Sequence, residues 1–144
     1  MSEILILYYS RNGSVEQLAN MIARGVAEAG GIARVRTVPS VSPNHLATEE
    51  AVPTSGAPYV NKQDLAECSG LILGSPTRFG NMAAPMKHFW DTTGAEWASG
   101  ALVNKPAGVF TSTSSMHGGQ ESTLLTMMIP LLHHGCILVG VPFT

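Results

Sequence analysis

Gly74-Ser75-Pro76-Thr77-Arg78-Phe79-Gly80-Asn81 follows an apolar run at 70–74 and precedes a helix-compatible stretch at 83–92. A parallel α/β sheet places its ligand loops at that point in the chain. Hydroxyls and an amide supply hydrogen bonds, glycines allow close backbone approach, Arg78 supplies one cation, and Phe79 can shield a flat ligand. Together they suit a planar, polar-edged cofactor better than a metal. A Ser-Pro turn and a helix start capped by Asn81 would account for part of the stretch, but Thr77, Arg78, Phe79 and Gly80 exceed what a turn needs.

Working outward, apolar runs of strand length recur at 4–9, 33–38, 70–74, 107–111 and 137–141, mostly continuous rather than alternating. Strands buried on both faces have that pattern, which predicts a parallel sheet. Helical spacing lies between them. In 14–29, Val15, Leu18, Ile22, Val26 and Ala29 repeat at three and four residues before Gly30-Gly31. Residues 83–92 and 120–134 predict two more helices, the second carrying Pro130 and an expected kink. Prolines 39, 43, 53 and 58 with Gly56 make 39–61 a long loop. The alternation predicts one α/β domain over 1–144, an open doubly wound five-stranded parallel sheet with ligands beyond the carboxyl ends of its strands.

Two further loops occupy equivalent positions. Ser10-Arg11-Asn12-Gly13-Ser14 joins strand 4–9 to helix 14–29, with hydroxyls, an amide and helix N–H groups able to meet a phosphate monoester. Simple capping of the helix by Asn12 or Ser14 is the competing role. The loop is neither GxGxxG nor GxxxxGK[ST], so a dinucleotide fingerprint and a nucleotide-hydrolysing P-loop are poorly supported. Thr111-Ser112-Thr113-Ser114-Ser115 follows strand 107–111 and leads through Met116-His117 to Gly118-Gly119-Gln120. Three such loops after three core strands are a stronger signal than any one.

A net charge of −2, with eight Lys and Arg scattered singly, gives no electrostatic footprint for nucleic acid. The apolar start at 4–9 is too short for a signal segment or a membrane span, so a cytoplasmic location is expected. Cys68 and Cys136 lack CxxC spacing and are expected to be structural. His45, His88 and His117 have no ligand pattern, so no metal site is expected. Trp90 fits the core stripe of its helix, whereas Trp97 lies outside it.

Leu7-Tyr8-Tyr9-Ser10 with Gly13, the 74–81 stretch, Trp97-Ala98-Ser99-Gly100, Gly118-Gly119-Gln120-Glu121 and His133-His134-Gly135 resemble the WrbA-type NAD(P)H:quinone oxidoreductases. The resemblance covers essentially the whole chain. It implies a flavodoxin-like fold with sheet order 2-1-3-4-5, bound FMN, NAD(P)H as co-substrate, a quinone as acceptor, and a homo-oligomer, dimer or tetramer. By resemblance the flavin phosphate sits on Ser10, Arg11, Asn12, Gly13, Ser14 and Val15. The ring edge sits on Pro76, Thr77, Arg78, Phe79, Gly80 and Asn81, and its other side on Ser112, Thr113, Ser114, Ser115, Gly118 and Gly119. His134 lies near the ring in the family pattern, unless it is simply a helix-end residue with Gly135 behind it. Trp97 lines the substrate cavity, its own or a neighbouring subunit's, and Asn12 stands where relatives often carry an aromatic that contacts nicotinamide. Family members continue for roughly another third, so an incomplete last strand and an absent closing helix are expected, with either weak FMN binding or marginal stability of 1–144 alone. Two other classes fit the same residues: a one-electron transfer module, and a flavin-free interaction protein of the same fold.

Overall fold

The computed structural model describes residues 2–41 and 52–142. Its sheet contains β1 (Glu3–Tyr8), β2 (Ile32–Thr37), β3 (Gly70–Pro76), β4 (Pro106–Ser112) and β5 (Ile137–Leu138). The helices are α1 (Ser14–Glu28), α2 (Lys62–Glu67), α3 (Ala84–Asp91), α4 (Gly94–Ala98) and α5 (Gln120–His133). The strands are ordered β2-β1-β3-β4-β5 and every neighbouring pair is parallel. This is the order the resemblance implies.

β1 shows why the apolar runs are continuous. Its side chains alternate between faces, and both faces are covered. Leu5 and Leu7 join Leu65, Leu71, Leu73, Met86, Trp90, Met127 and Leu131 in the larger core, beneath α2, α3 and α5. Ile6 and Tyr8 pack with Val15 and Ala19 of α1 on the other side. Both cysteines are buried free thiols, and Trp90 lies in the core with its ring edge-on to Phe89.

Helix ends follow local chemistry. After α1, the Gly30 N–H reaches the Ala27 carbonyl and the Gly31 N–H reaches that of Val26, a Schellman closure. α5 ends the same way, with Gly135 N–H on Leu132 and Cys136 N–H on Leu131. α5 runs without a break through Pro130.

Several expectations need correction. α2 and α4 fall where no helix is predicted. α2 is set by a capping box in which Asn61 Oδ1 accepts the Asp64 N–H at 3.0 Å and Asp64 Oδ2 accepts the Asn61 N–H at 2.9 Å. The tail expected as strand 137–141 is a strand only over Ile137–Leu138, although the Val139 N–H still reaches the Ala107 carbonyl at 2.8 Å. Pro142 brings no N–H to continue a ladder. Of the 39–61 loop, residues 42–51, including His45, lie outside the described residues.

The two sheet edges differ. At β2, Arg34 pairs with Glu3, Asp64 and Glu67 while Arg36 reaches Asp64 at 3.1 Å, so the edge carries ion pairs rather than an apolar face. Toward β5, on the part of the face that α1 leaves uncovered, Ile4, Ile72, Phe110 and Val139 help line an apolar hollow of about 440 Å³.

Candidate functional site

The carboxyl ends of β1, β3 and β4 open into one cavity of about 380 Å³, within the range of small-molecule sites. It is lined by Ser10, Arg11, Asn12, Ser14, Val15, Pro76, Thr77, Arg78, Phe79, Ser112, Thr113, Ser114 and Gly118. Two arginines and no acidic side chain are among them, so the mouth favours an anion.

The first loop turns sharply into α1. Gly13, in the left-handed region at φ 86°, is the N-cap and no side chain caps the helix. The Ser10 hydroxyl accepts the Gly13 N–H at 3.0 Å. Neither Asn12 nor Ser14 has the capping role that the sequence left open, and the first-turn N–H groups face the cavity end without a capping side chain. A phosphate is the natural partner for such donors.

The second loop is a two-residue turn. Arg78 and Asn81 exchange N–H···O bonds of 2.8 and 3.0 Å, with Phe79 at φ 50° and Gly80 at φ 74° between them. Both central residues have positive φ, as in a type I′ turn. The turn holds the Phe79 ring out over the cavity, fully exposed. Asn81 does not cap α3: its side chain accepts the Met82 N–H, and Ala83 is the N-cap. Arg78 Nη1 donates to the Thr77 carbonyl at 2.8 Å, and the Thr77 N–H reaches the Ser112 carbonyl at 3.0 Å. The second loop is thus tied to the end of β4.

The third loop closes against the second. Thr113 and Ser115 form a local turn, with Thr113 Oγ1 donating to the Ser115 carbonyl at 2.7 Å and accepting the Ser115 N–H at 3.1 Å. Gly119, at φ 95°, lies so close to Gly80 that an added Cβ would stand 3.2 Å from the Gly80 Cα. A Cβ on Gly80 would in turn meet the Ser122 hydroxyl at 2.7 Å. Both positions require glycine.

Gly13, Gly80, Asn81, Ser115 and Gly119 shape these loops without lining the cavity. His134 and Trp97 are elsewhere. They line a second cavity of about 340 Å³ between α3, α4 and the end of α5, together with Trp90, Thr93 and His133. His134 is the C-cap of α5, which turns its ring toward Thr93 and away from the three loops. Within one chain it does not join the first cavity. Trp97 Nε1 donates to the His133 carbonyl at 2.8 Å, holding α4 on the end of α5. Thr93 and Thr123, both buried and hydrogen-bonded around these cavities, carry no signal in the sequence beyond their hydroxyls. His117 is exposed and lies 3.5 Å from Glu121. Among the described residues no cluster of three or more His, Cys, Asp or Glu is placed to hold a metal, and no helix is long and apolar enough to cross a membrane.

The parallel sheet and the three convergent loops define the chain as a flavodoxin-like α/β protein. The solved structure described as the flavodoxin, WrbA-like protein from Agrobacterium tumefaciens superposes with a TM-score of 0.73 at 21% identity, covering 95% of this chain and 76% of that one. The family described as NADPH-dependent FMN reductase matches residues 3–143, and the chain belongs to that family. Among curated relatives, an NAD(P)H dehydrogenase (quinone) from Chromohalobacter salexigens is 46% identical over 147 residues, covering 100% of this chain and 73% of the relative. One of the same description from Paracoccus denitrificans is 46% identical over 145 residues, covering 100% of this chain and 70% of the relative.

The first cavity fits FMN on its own chemistry. Helix N–H groups and hydroxyls at one end suit a phosphate, and the rest of the cavity, lined by Pro76–Phe79 and by Ser112–Ser114 with Gly118, suits a flat ring with polar edges.

Proposed function

We propose that residues 1–144 act as one flavodoxin-like domain that binds FMN in the first cavity and reduces quinones by two electrons at the expense of NAD(P)H. The uncapped start of α1 at Gly13, with two further loops converging on the same cavity, is the observation that carries this reading. Family membership and the descriptions of the curated relatives support it. When bound, the flavin supplies a centre that takes a hydride and returns both electrons to an acceptor.

The chain's own residues do the positioning. Ser10, Arg11, Asn12, Gly13, Ser14 and Val15 hold the phosphate through N–H groups and hydroxyls. Pro76 through Asn81 hold the ring edge, with Phe79 restricting water and Arg78 adding positive charge near developing negative charge. Ser112 through Ser115, with Gly118 and Gly119, close the other side. No general acid or base is required within reach, since orienting donor and acceptor in turn over one face is the task. Asn12 is the candidate contact for the reduced nicotinamide. Trp97 lines a cavity for the quinone and His134 stands near the flavin ring, both brought against a mouth in a cytoplasmic homo-oligomer. A one-electron carrier that docks a redox protein finds little support in a net charge of −2.

The test is a titration of the chain with FMN and with riboflavin, followed by NADH- or NADPH-dependent reduction of benzoquinone. FMN is expected to bind more tightly than riboflavin because the phosphate adds contacts at α1. Equal binding of the two, or absence of quinone-dependent turnover by the flavin-loaded protein, rejects the reading.

A further inference from the structure

Behind the second loop lies a chain of three hydroxyls. Thr77 Oγ1 is 3.3 Å from Thr111 Oγ1 at the end of β4 and 3.2 Å from Thr123 Oγ1 in the first turn of α5. Each hydroxyl has a single proton. Thr111 donates to the Ser75 carbonyl at 2.7 Å, and Thr123 reaches the Gly119 carbonyl at 2.7 Å. The short bond to Ser75 fixes the Thr111 proton, and the Thr123 proton lies chiefly on Gly119 with the Thr77 oxygen as its second, longer acceptor. The Thr77 oxygen therefore accepts from Thr123, and the Thr77 proton goes to the Thr111 oxygen.

We propose that Thr123, which does not line the first cavity, is a positioning residue. By sharing its proton between the Gly119 carbonyl and the Thr77 oxygen, it ties the second loop to the third and fixes the position of the second loop at the cavity that receives the flat part of the ligand. The proposal rests on flavin being the occupant of that cavity. Thr123 is 0% exposed, so its oxygen exchanges no bonds with water. Replacing it by valine removes the oxygen at nearly constant size. The Gly119 carbonyl is not orphaned by that change, because it still accepts the N–H of residue 123 at 3.0 Å and the Ser122 hydroxyl at 3.1 Å. The loss falls on Thr77.

The experiment compares the wild-type chain with Thr123→Val and Thr123→Ser, and with Thr123→Ala should the valine variant not fold. Binding of FMN and riboflavin is read by fluorescence, and amide hydrogen exchange over 76–81 is read without ligand. Thr123→Val is expected to weaken both flavins by the same factor, about fivefold to tenfold, for one lost buried hydrogen bond. It is also expected to shift the visible flavin spectrum and speed exchange at 76–81, and Thr123→Ser restores all three. Weakening of FMN alone overturns the proposal, since that locates the effect at the phosphate end. Unchanged exchange over 76–81 overturns the positioning role whatever the flavin result. Failure of the wild-type chain to bind either flavin overturns the assignment of the cavity and the positioning role with it.

Discussion

Thr93 Oγ1 and His134 Nε2 lie 3.0 Å apart, and the threonine donates its own proton to the Trp90 carbonyl at 2.7 Å. The hydroxyl oxygen therefore accepts, Nε2 carries the hydrogen, and Nδ1 keeps a lone pair that finds no protein partner among the described residues. His134 is thus held with Nε2 as its donor, in contact with Trp90 at a ring separation of 5.2 Å.

Burial holds the His134 pKa below its ordinary value of 6.5, with Glu96 opposing the shift. The unfolded chain then binds a proton that the folded chain refuses, so stability is full above about pH 6.5 and is lost as pH falls through the lower folded value. Urea unfolding at pH 7.5 and pH 5 should show a smaller loss in His134→Gln than in wild type. Equal losses in both would remove His134 as the source.

Phe79 has a side chain that packs on nothing and a backbone in the left-handed region, φ 50°. Asparagine tolerates that conformation better than phenylalanine does. Phe79→Asn is expected to raise stability by about 0.5–1 kcal/mol and to weaken flavin binding, an exchange of function for stability. A variant that loses stability would show that the ring has a folded-state contact.

Gly119→Ala places a methyl 3.2 Å from the Gly80 Cα at a residue with φ 95°. A cost of about 1–3 kcal/mol is expected from strain alone, measured by denaturant midpoint. Gly94→Ala is the control, because a Cβ there meets nothing within 4 Å.

Asp64, 1% exposed, accepts from Arg34 Nη1 at 3.0 Å, from Arg36 Nε at 3.1 Å and from the Asn61 N–H. Asp64→Ala leaves two guanidinium groups short of a partner and opens the α2 cap, so a loss of about 3–5 kcal/mol is expected. Removing the exposed Glu67 carboxylate should change stability little. Comparable losses from the two changes would mean that burial does not set the strength of this cluster.

The Cys136 thiol is pushed up to about 11, first by burial and then by Cys68, with Lys105 opposing. Iodoacetamide at pH 7.5 is expected to modify neither Cys136 nor Cys68 in the folded protein and both after unfolding. Fast labelling of native protein would show that the sheet end bearing them opens.

The three loops that line the first cavity were legible because each follows a continuous apolar strand. The order 2-1-3-4-5 needed the whole-chain resemblance, since alternation of strands and helices permits several orders. α2 escaped because six residues with Leu65 as their main apolar anchor show no helical stripe, although Asn61-Lys62-Gln63-Asp64 does carry a capping-box signature. The separation of His134 and Trp97 from the loops was not legible, because it depends on how the end of α5 meets α4 through an indole N–H and a carbonyl. Proton directions in the threonine chain are likewise a product of tertiary contacts.

Gly80 and Gly119 meet with no side chain between them. A Cβ at Gly119 would stand 3.2 Å from the Gly80 Cα and one at Gly80 2.7 Å from the Ser122 hydroxyl, so the seam between the second and third loops has no space for a side chain. Adaptation toward a thinner occupant is not open to side-chain growth in this seam, and falls to the other lining side chains, Arg11 and Asn12 among them.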